Sequence, residues 1–338
     1  MRAAAAALVL LCAGCAGEPE LPDVLPEQRP LAARIVKRGG TIRVDQDHHV
    51  CELDGDSENG FLITDADLKD IVENWISLEY VCLFGATEVT DDGLKHLANC
   101  EQLRILETGF EDEAALEYFG RIRSLSSLGL SGRITGDGLT ALSGLVNLES
   151  LSLWGGPFST EALKQLPKLP RLRHLELQIE GRPHPQWSVM RVYEKLDSLH
   201  VWGLGYTATA SDLRYLSKCR ELKRLRLSDL GADTAVLDHL LACSNLREIH
   251  TWNTHFDRED VDRILRMPCL NLLEMRVALD ETDLVKLRRQ HPQFDISLVD
   301  RDGPGLPCLV ASHKDKPSLS CVFDPQSTVC GIQIEIPQ

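Results

Sequence analysis

Residues 148–154 read Leu-Glu-Ser-Leu-Ser-Leu-Trp, and the pattern they carry, L-x-x-[LVI]-x-[LVTM], returns along most of the chain. Leu78, Leu103, Leu125, Leu148, Leu172, Leu196, Leu222, Leu246 and Leu270 each open one such hexad, at steps of 22 to 26 residues. Apolar residues at alternate positions describe a short strand with one buried face. A unit of this length holds one strand and one helix. It cannot bury its apolar face alone, so successive units must stack. The period therefore predicts an α/β solenoid bent into a horseshoe, with a parallel sheet on the concave side and helices on the convex side.

Between the hexads a second segment recurs: ITDADL (63–68), VTDDGL (89–94), ITGDGL (134–139) and FSTEAL (158–163). Thr64, Thr90, Thr135 and Ser159, or the acids beside them, can accept from the unpaired N–H groups of a first helical turn, where negative charge is also favoured by the helix dipole. Leu94 with Leu97, Leu139 with Leu142, and Leu163 with Leu166 turn each helix onto the strand layer.

On these motifs the chain resembles leucine-rich repeat proteins of the cysteine-containing type, close to exported bacterial leucine-rich repeat lipoproteins with an I-T-D-x-G-L signature. The resemblance covers about residues 35–300. It places a cysteine three residues before the hexad leucine, as at Cys100, Cys219 and Cys243, while Cys269 departs by two positions. Those thiols read as small apolar fillers in a packed turn. The resemblance implies a scaffold that binds partners.

The ends differ from the repeats. Met1-Arg2, the apolar run Ala3 to Leu11 and the small-residue zone Cys12-Ala13-Gly14-Cys15 form an export signal over residues 1–15. It resembles a lipoprotein signal with lipidation at Cys15, although Cys12 stands where leucine is usual, and ordinary secretory cleavage is the alternative. Export to the cell envelope as a membrane-anchored lipoprotein, or secretion, follows. Residues 16–34, rich in proline and acid, are expected to be an extended tether. Residues 35–60 should form an N-terminal cap, with Thr41 to Asp45 and His48 to Leu53 as a hairpin closing the exposed sheet edge. Repeats fill 61–300, with Asp295 to Val299 as the last strand. The tail 301–338 holds Cys308, Cys321 and Cys330, which in an oxidising compartment predict one disulfide of unspecified pairing.

Composition narrows function. A formal charge of −15, from 36 basic and 51 acidic residues, argues against nucleic-acid binding. The sequence lacks H-E-x-x-H, G-x-S-x-G and G-x-x-x-x-G-K-[ST], so it offers no support for an enzyme, and no cofactor is expected. Asp54, Asp56, Glu58 and Asn59 fail the register of a calcium loop and read as a solvated insertion. Pro183 and Pro185 disturb one unit, whose His184 and Trp187 lie in a convex-side loop or face a ligand.

In a hexad strand the third, fifth and seventh residues point away from the core. The partner-binding surface is therefore expected at Tyr80, Phe84, Trp154, His174, His200, Trp202, Arg224, Arg226, His250 and Trp252, types that dominate binding hot spots. Three of the five tryptophans fall at the seventh position. Among His174, His200 and His250, an intervening unit carrying Arg226 separates His200 from His250, so no metal site is expected. The expected function is a non-catalytic scaffold for a protein partner. A carbohydrate or peptide receptor, or a structural envelope protein, is the alternative.

Overall fold

Each of the nine hexads becomes one strand, and each strand begins at the third hexad residue: β3 (Tyr80–Cys82), β4 (Ile105–Gly109), β5 (Ser127–Ser131), β6 (Ser150–Trp154), β7 (His174–Glu180), β8 (Ser198–Ala208), β9 (Arg224–Ala232), β10 (Glu248–Thr251) and β11 (Leu272–Arg276). The computed structural model describes residues 21–55, 61–134, 138–155, 160–180, 190, 192–208, 213–232, 236–252, 256–299 and 308–316. The expected export signal with Cys15, residues 56–59 and 181–189, and Cys321 and Cys330 lie outside them.

Among the described residues the strands join one open 13-stranded sheet. From β2 (Val50–Asp54) to β11 every pairing is parallel, and equivalent hexad positions fall in register from unit to unit. Tyr80 thus aligns with Ile105, Ser127, Ser150 and His174 in turn. Every residue at the first, fourth and sixth hexad positions is no more than 3 % exposed. Burial of one leucine side chain is worth about 1.5–3 kcal/mol, so the stack of these rows is the main source of stability.

The helical layer is tied together by the acids of the recurring segment. Thr64 caps helix α2 (Asp65–Asn74) in a reciprocal capping box with Asp67. The next residue, Asp65, reaches across to the following unit and accepts from Thr90 N at 2.8 Å and Thr90 Oγ1 at 2.7 Å. Asp91 repeats the move, accepting from Asp112 N at 2.7 Å, and Glu113 accepts from Gly138 N at 2.8 Å. The T-D pair therefore caps its own helix and fastens the next.

The N-terminal hairpin forms as expected, from β1 (Thr41–Val44) and β2 paired antiparallel. The tether is shorter than expected. Residues Arg29–Lys37 form helix α1, because Pro30 suits a first helical turn and Ala32 and Ile35 bury against the cap. Asp67, buried on α2, binds both Arg34 at 3.2 Å and Arg38, fixing α1 to the first repeat unit.

The C-terminal end also differs. The expected last strand forms as β12 (Phe294–Val299), but β13 (Cys308–His313), from the tail, inserts antiparallel between β11 and β12. Leu309 and Ala311 are fully buried there, so the tail supplies part of the terminal cap. Reversing direction at both ends lets short hairpins cover the apolar cross-section of the stack. Cys308 is buried in β13 with its thiol directed to the Leu309 carbonyl at 3.7 Å.

Candidate functional site

Because the register is strict, the outward hexad positions become rows on the sheet face away from the helices. The fifth-position row runs Cys82, Glu107, Gly129, Ser152, Glu176, His200, Arg226, His250, Glu274. It is a chain of pairs. Ser152 Oγ donates to Glu176 Oε2 at 3.2 Å, and Glu176 Oε1 stands 3.0 Å from His200 Nδ1. Farther along, His250 Nδ1 lies 3.0 Å from Glu274 Oε2. Arg226 sits in register between the two histidines.

Burial makes these polar groups consequential. Glu176, His200 and His250 are each less than a tenth exposed. Burial lowers the pKa of His200 below the usual imidazole value, against the raising effect of Glu176. The neutral ring accepts at Nδ1 from the indole N–H of Trp202 at 3.0 Å, and its Nε2 faces Ser228 Oγ at 3.3 Å. With Nδ1 so occupied, neither Glu176 Oε1 nor the buried His250 Nε2 has a hydrogen-bond partner among the described residues. His174, in the third-position row, also has a lowered pKa, through burial and then Arg224.

The aromatic residues do not form one stripe. Trp154 packs on Phe84, with ring centroids 5.5 Å apart. Trp202 stacks beside His200, with centroids 5.1 Å apart, and is in register with Ser228. Trp252 follows on the far side of β9, where the Arg276 guanidinium lies 5.4 Å from its ring centre. Each ring is only partly buried, and the packing partner lies on the same sheet face. Arg224 is 3.6 Å from Asp197, and Tyr80 donates to Glu107 at 3.1 Å. All ten expected residues thus lie on one face, with the tryptophans at three separate places along the charged row.

Glu107, Glu176, Glu274, Ser228 and Arg276 are partners that were not among the ten expected binding residues. The signal was present, because Glu107, Glu176 and Glu274 hold the same fifth position as His200 and His250. The thiols of Cys100, Cys219 and Cys243 sit in the packed turns, buried as expected. No group of three or more His, Cys, Asp or Glu that could hold a metal occurs among the described residues. A cleft of about 520 Å³ near Arg266, His291, His313 and Lys316 lies at the C-terminal end, away from these rows.

Compared with protein-family models and with curated proteins, the chain matches none. Solved structures similar to it include TLR13 in a complex with the RNA ssRNA13, at 18% identity and a TM-score of 0.47, over 66% of this chain and 32% of that one. A leucine-rich repeat protein of Leptospira interrogans is similar at 17% identity and a TM-score of 0.41, over 65% of this chain and 60% of that one. Internalin C2 of Listeria monocytogenes is similar at 19% identity and a TM-score of 0.40, over 65% and 88%. The chain thus spans about a third of the length of the TLR13 structure. All three are leucine-rich repeat structures, the architecture that the hexad strands and their register display here.

Proposed function

We propose that this chain is a non-catalytic, exported interaction scaffold that binds a protein partner on the sheet face away from its helices. The observation that carries the reading is the state of Phe84, Trp154, Trp202 and Trp252. Each ring is half-buried, fixed by a named neighbour on the face, and still open to solvent. Large rings held in place lose little freedom on binding, which is what makes tryptophan a strong anchor. A purely structural protein has no use for so many partly exposed aromatics on one face. Nucleic acid remains disfavoured by the net charge of −15.

The test is replacement of Trp154, Trp202 and Trp252 together by alanine in the full chain, with capture from the native envelope fraction beside the unfolding midpoint. The expected result is a folded protein that no longer captures the partner retained by the unaltered chain. Capture that survives in the folded variant places binding elsewhere. A glycan array run on the same pair of proteins separates a carbohydrate ligand from a protein one.

Anchoring belongs to the same reading. Cys15 follows Ala13-Gly14 and is the proposed lipidation site, placing the scaffold at the cell envelope. No helix among the described residues is long and apolar enough to cross a membrane. Mass spectrometry of the mature N-terminus decides: a diacylglyceryl mass on Cys15 is expected, and an unmodified N-terminus after ordinary cleavage rejects the anchor.

A further inference from the structure

Between β3 and β6 the sheet face has a chemistry of its own. Its third, fifth and seventh hexad positions contain no lysine or arginine, but hold Tyr80, Phe84, Trp154 and the carboxylate of Glu107. Asp54 of β2, in register with Cys82 and so with Glu107, extends the acidic row toward the cap.

Trp154 meets Phe84 beside the Glu107 side chain because glycine occupies the fifth position of β5. A Cβ added to Gly129 would stand 3.3 Å from Glu107 Cγ and 3.3 Å from Trp154 Cζ3, tighter than ordinary contact. The bare backbone lets the Trp154 indole lie over β5, beside the stem of Glu107, and reach Phe84 at 5.5 Å with the planes inclined by 54°. Tyr80 holds the carboxylate in place, donating its hydroxyl to Glu107 Oε2 at 3.1 Å. Burial, then Glu107, raises the Tyr80 pKa, so the hydroxyl stays protonated and remains a donor. Tyr80, Phe84, Glu107 and Trp154 are all half-buried, open on the solvent side.

Ring faces carry negative potential, and a partly desolvated carboxylate among them makes the spot favourable for a positive group. The geometry points to a cation-binding cage, built by Tyr80, Phe84, Glu107 and Trp154, that takes a lysine or arginine side chain of the protein partner. The inference rests on the reading of this face as the interaction surface and names the chemistry at its N-terminal half. The other half differs in carrying Arg224, Arg226 and Arg276 at these positions, which disfavour a second cation. A basic side chain on the partner would therefore fix the direction in which the partner lies along the rows.

The experiment uses the full chain, with octalysine and octaglutamate peptides as probes and the Trp154 indole N–H resonance, assigned with Trp154→Phe, as readout. Octalysine is expected to shift that resonance saturably. Glu107→Gln and Phe84→Leu should each weaken the response by about tenfold. Glu101→Gln, which removes an exposed charge away from the face, should change it by less than about twofold. Unfolding midpoints show that the variants are folded, and Glu107→Gln conserves shape if Phe84→Leu is not tolerated. An unmoved resonance, an equal response to octaglutamate, or an equal loss in Glu101→Gln and Glu107→Gln overturns the cage. Failure of the cage with partner capture still dependent on Trp202 and Trp252 leaves the broader reading standing. Capture insensitive to every substitution on the face removes that reading instead.

Discussion

The indole N–H of Trp202 donates to Nδ1 of His200 at 3.0 Å, and the same ring nitrogen lies 3.0 Å from the carboxylate of Glu176. One nitrogen cannot accept from the first and donate to the second. Neutral His200 holds Trp202, whereas protonated His200 would pair with Glu176 and release the indole. The other groups facing this ring are Arg226, His250 and Ser228.

This conflict has a pH signature. The folded-state pKa of His200 is lowered from 6.5, so the unfolded chain takes up the proton first and stability rises with pH. The contribution is fully present above about pH 6.5 and is lost as pH falls through the window between that value and the lower folded one. His174 acts in the same direction. His200→Gln should flatten the slope of unfolding free energy against pH in that window. Trp202→Phe, which removes the donor, should raise the His200 midpoint measured by imidazole NMR. A His200 midpoint at or above 6.5 in the unaltered chain contradicts the arrangement.

The leucine rows make a prediction of scale. Leu151 and Leu225 hold the fourth hexad position and are fully buried. Replacing either by alanine should cost about 2–5 kcal/mol, because stacked units on both sides resist collapse into the cavity. Denaturant midpoints at constant slope measure this, and an unchanged midpoint would contradict their place in the core.

Asp65 tests the tie between units. It accepts two hydrogen bonds from Thr90, the cap residue of the next helical segment. Asp65→Ala should destabilise the domain by about 1–2 kcal/mol, through the lost bonds and the frayed cap. Hydrogen exchange should rise first at the amide of Thr90. If the loss stays within the helix that Asp65 begins, the cross-unit tie contributes nothing.

The repeat cysteines should be chemically silent. Burial pushes the thiols of Cys100 and Cys219 up to about 12 and that of Cys243 up to about 11, so almost no thiolate exists near neutral pH. Iodoacetamide at pH 8 should leave all three unlabelled in the native protein and modify them in denaturant. Peptide mapping reads the result, and rapid native labelling of any of them would mean the turns open readily.

The sequence by itself determined the repeat, the core rows and the face on which the outward residues lie. Period-two alternation inside a unit of roughly constant length leaves one solution for burying leucine from both sides. Leu151 and Trp154 could therefore be assigned to opposite faces from spacing alone. The T-D pair was legible as a cap, but its second role at Asp65 was not, since that bond depends on how one unit stacks on the next.

Only the tertiary structure decided the ends and the contacts along the face. Pro30 and its acidic neighbours read as tether until Ala32 and Ile35 are seen packed on the cap, and Cys308 to His313 read as tail until they are seen between β11 and β12. Terminal segments fold against a surface that the repeats create, so their own composition carries little of the instruction. The pairing of Trp154 with Phe84 over Gly129, and of Trp202 with His200, likewise arises across strands. Spacing tells which face a side chain occupies. Which way it leans depends on the size and charge of neighbours about 4.8 Å away on other strands, and these the fold alone brings together.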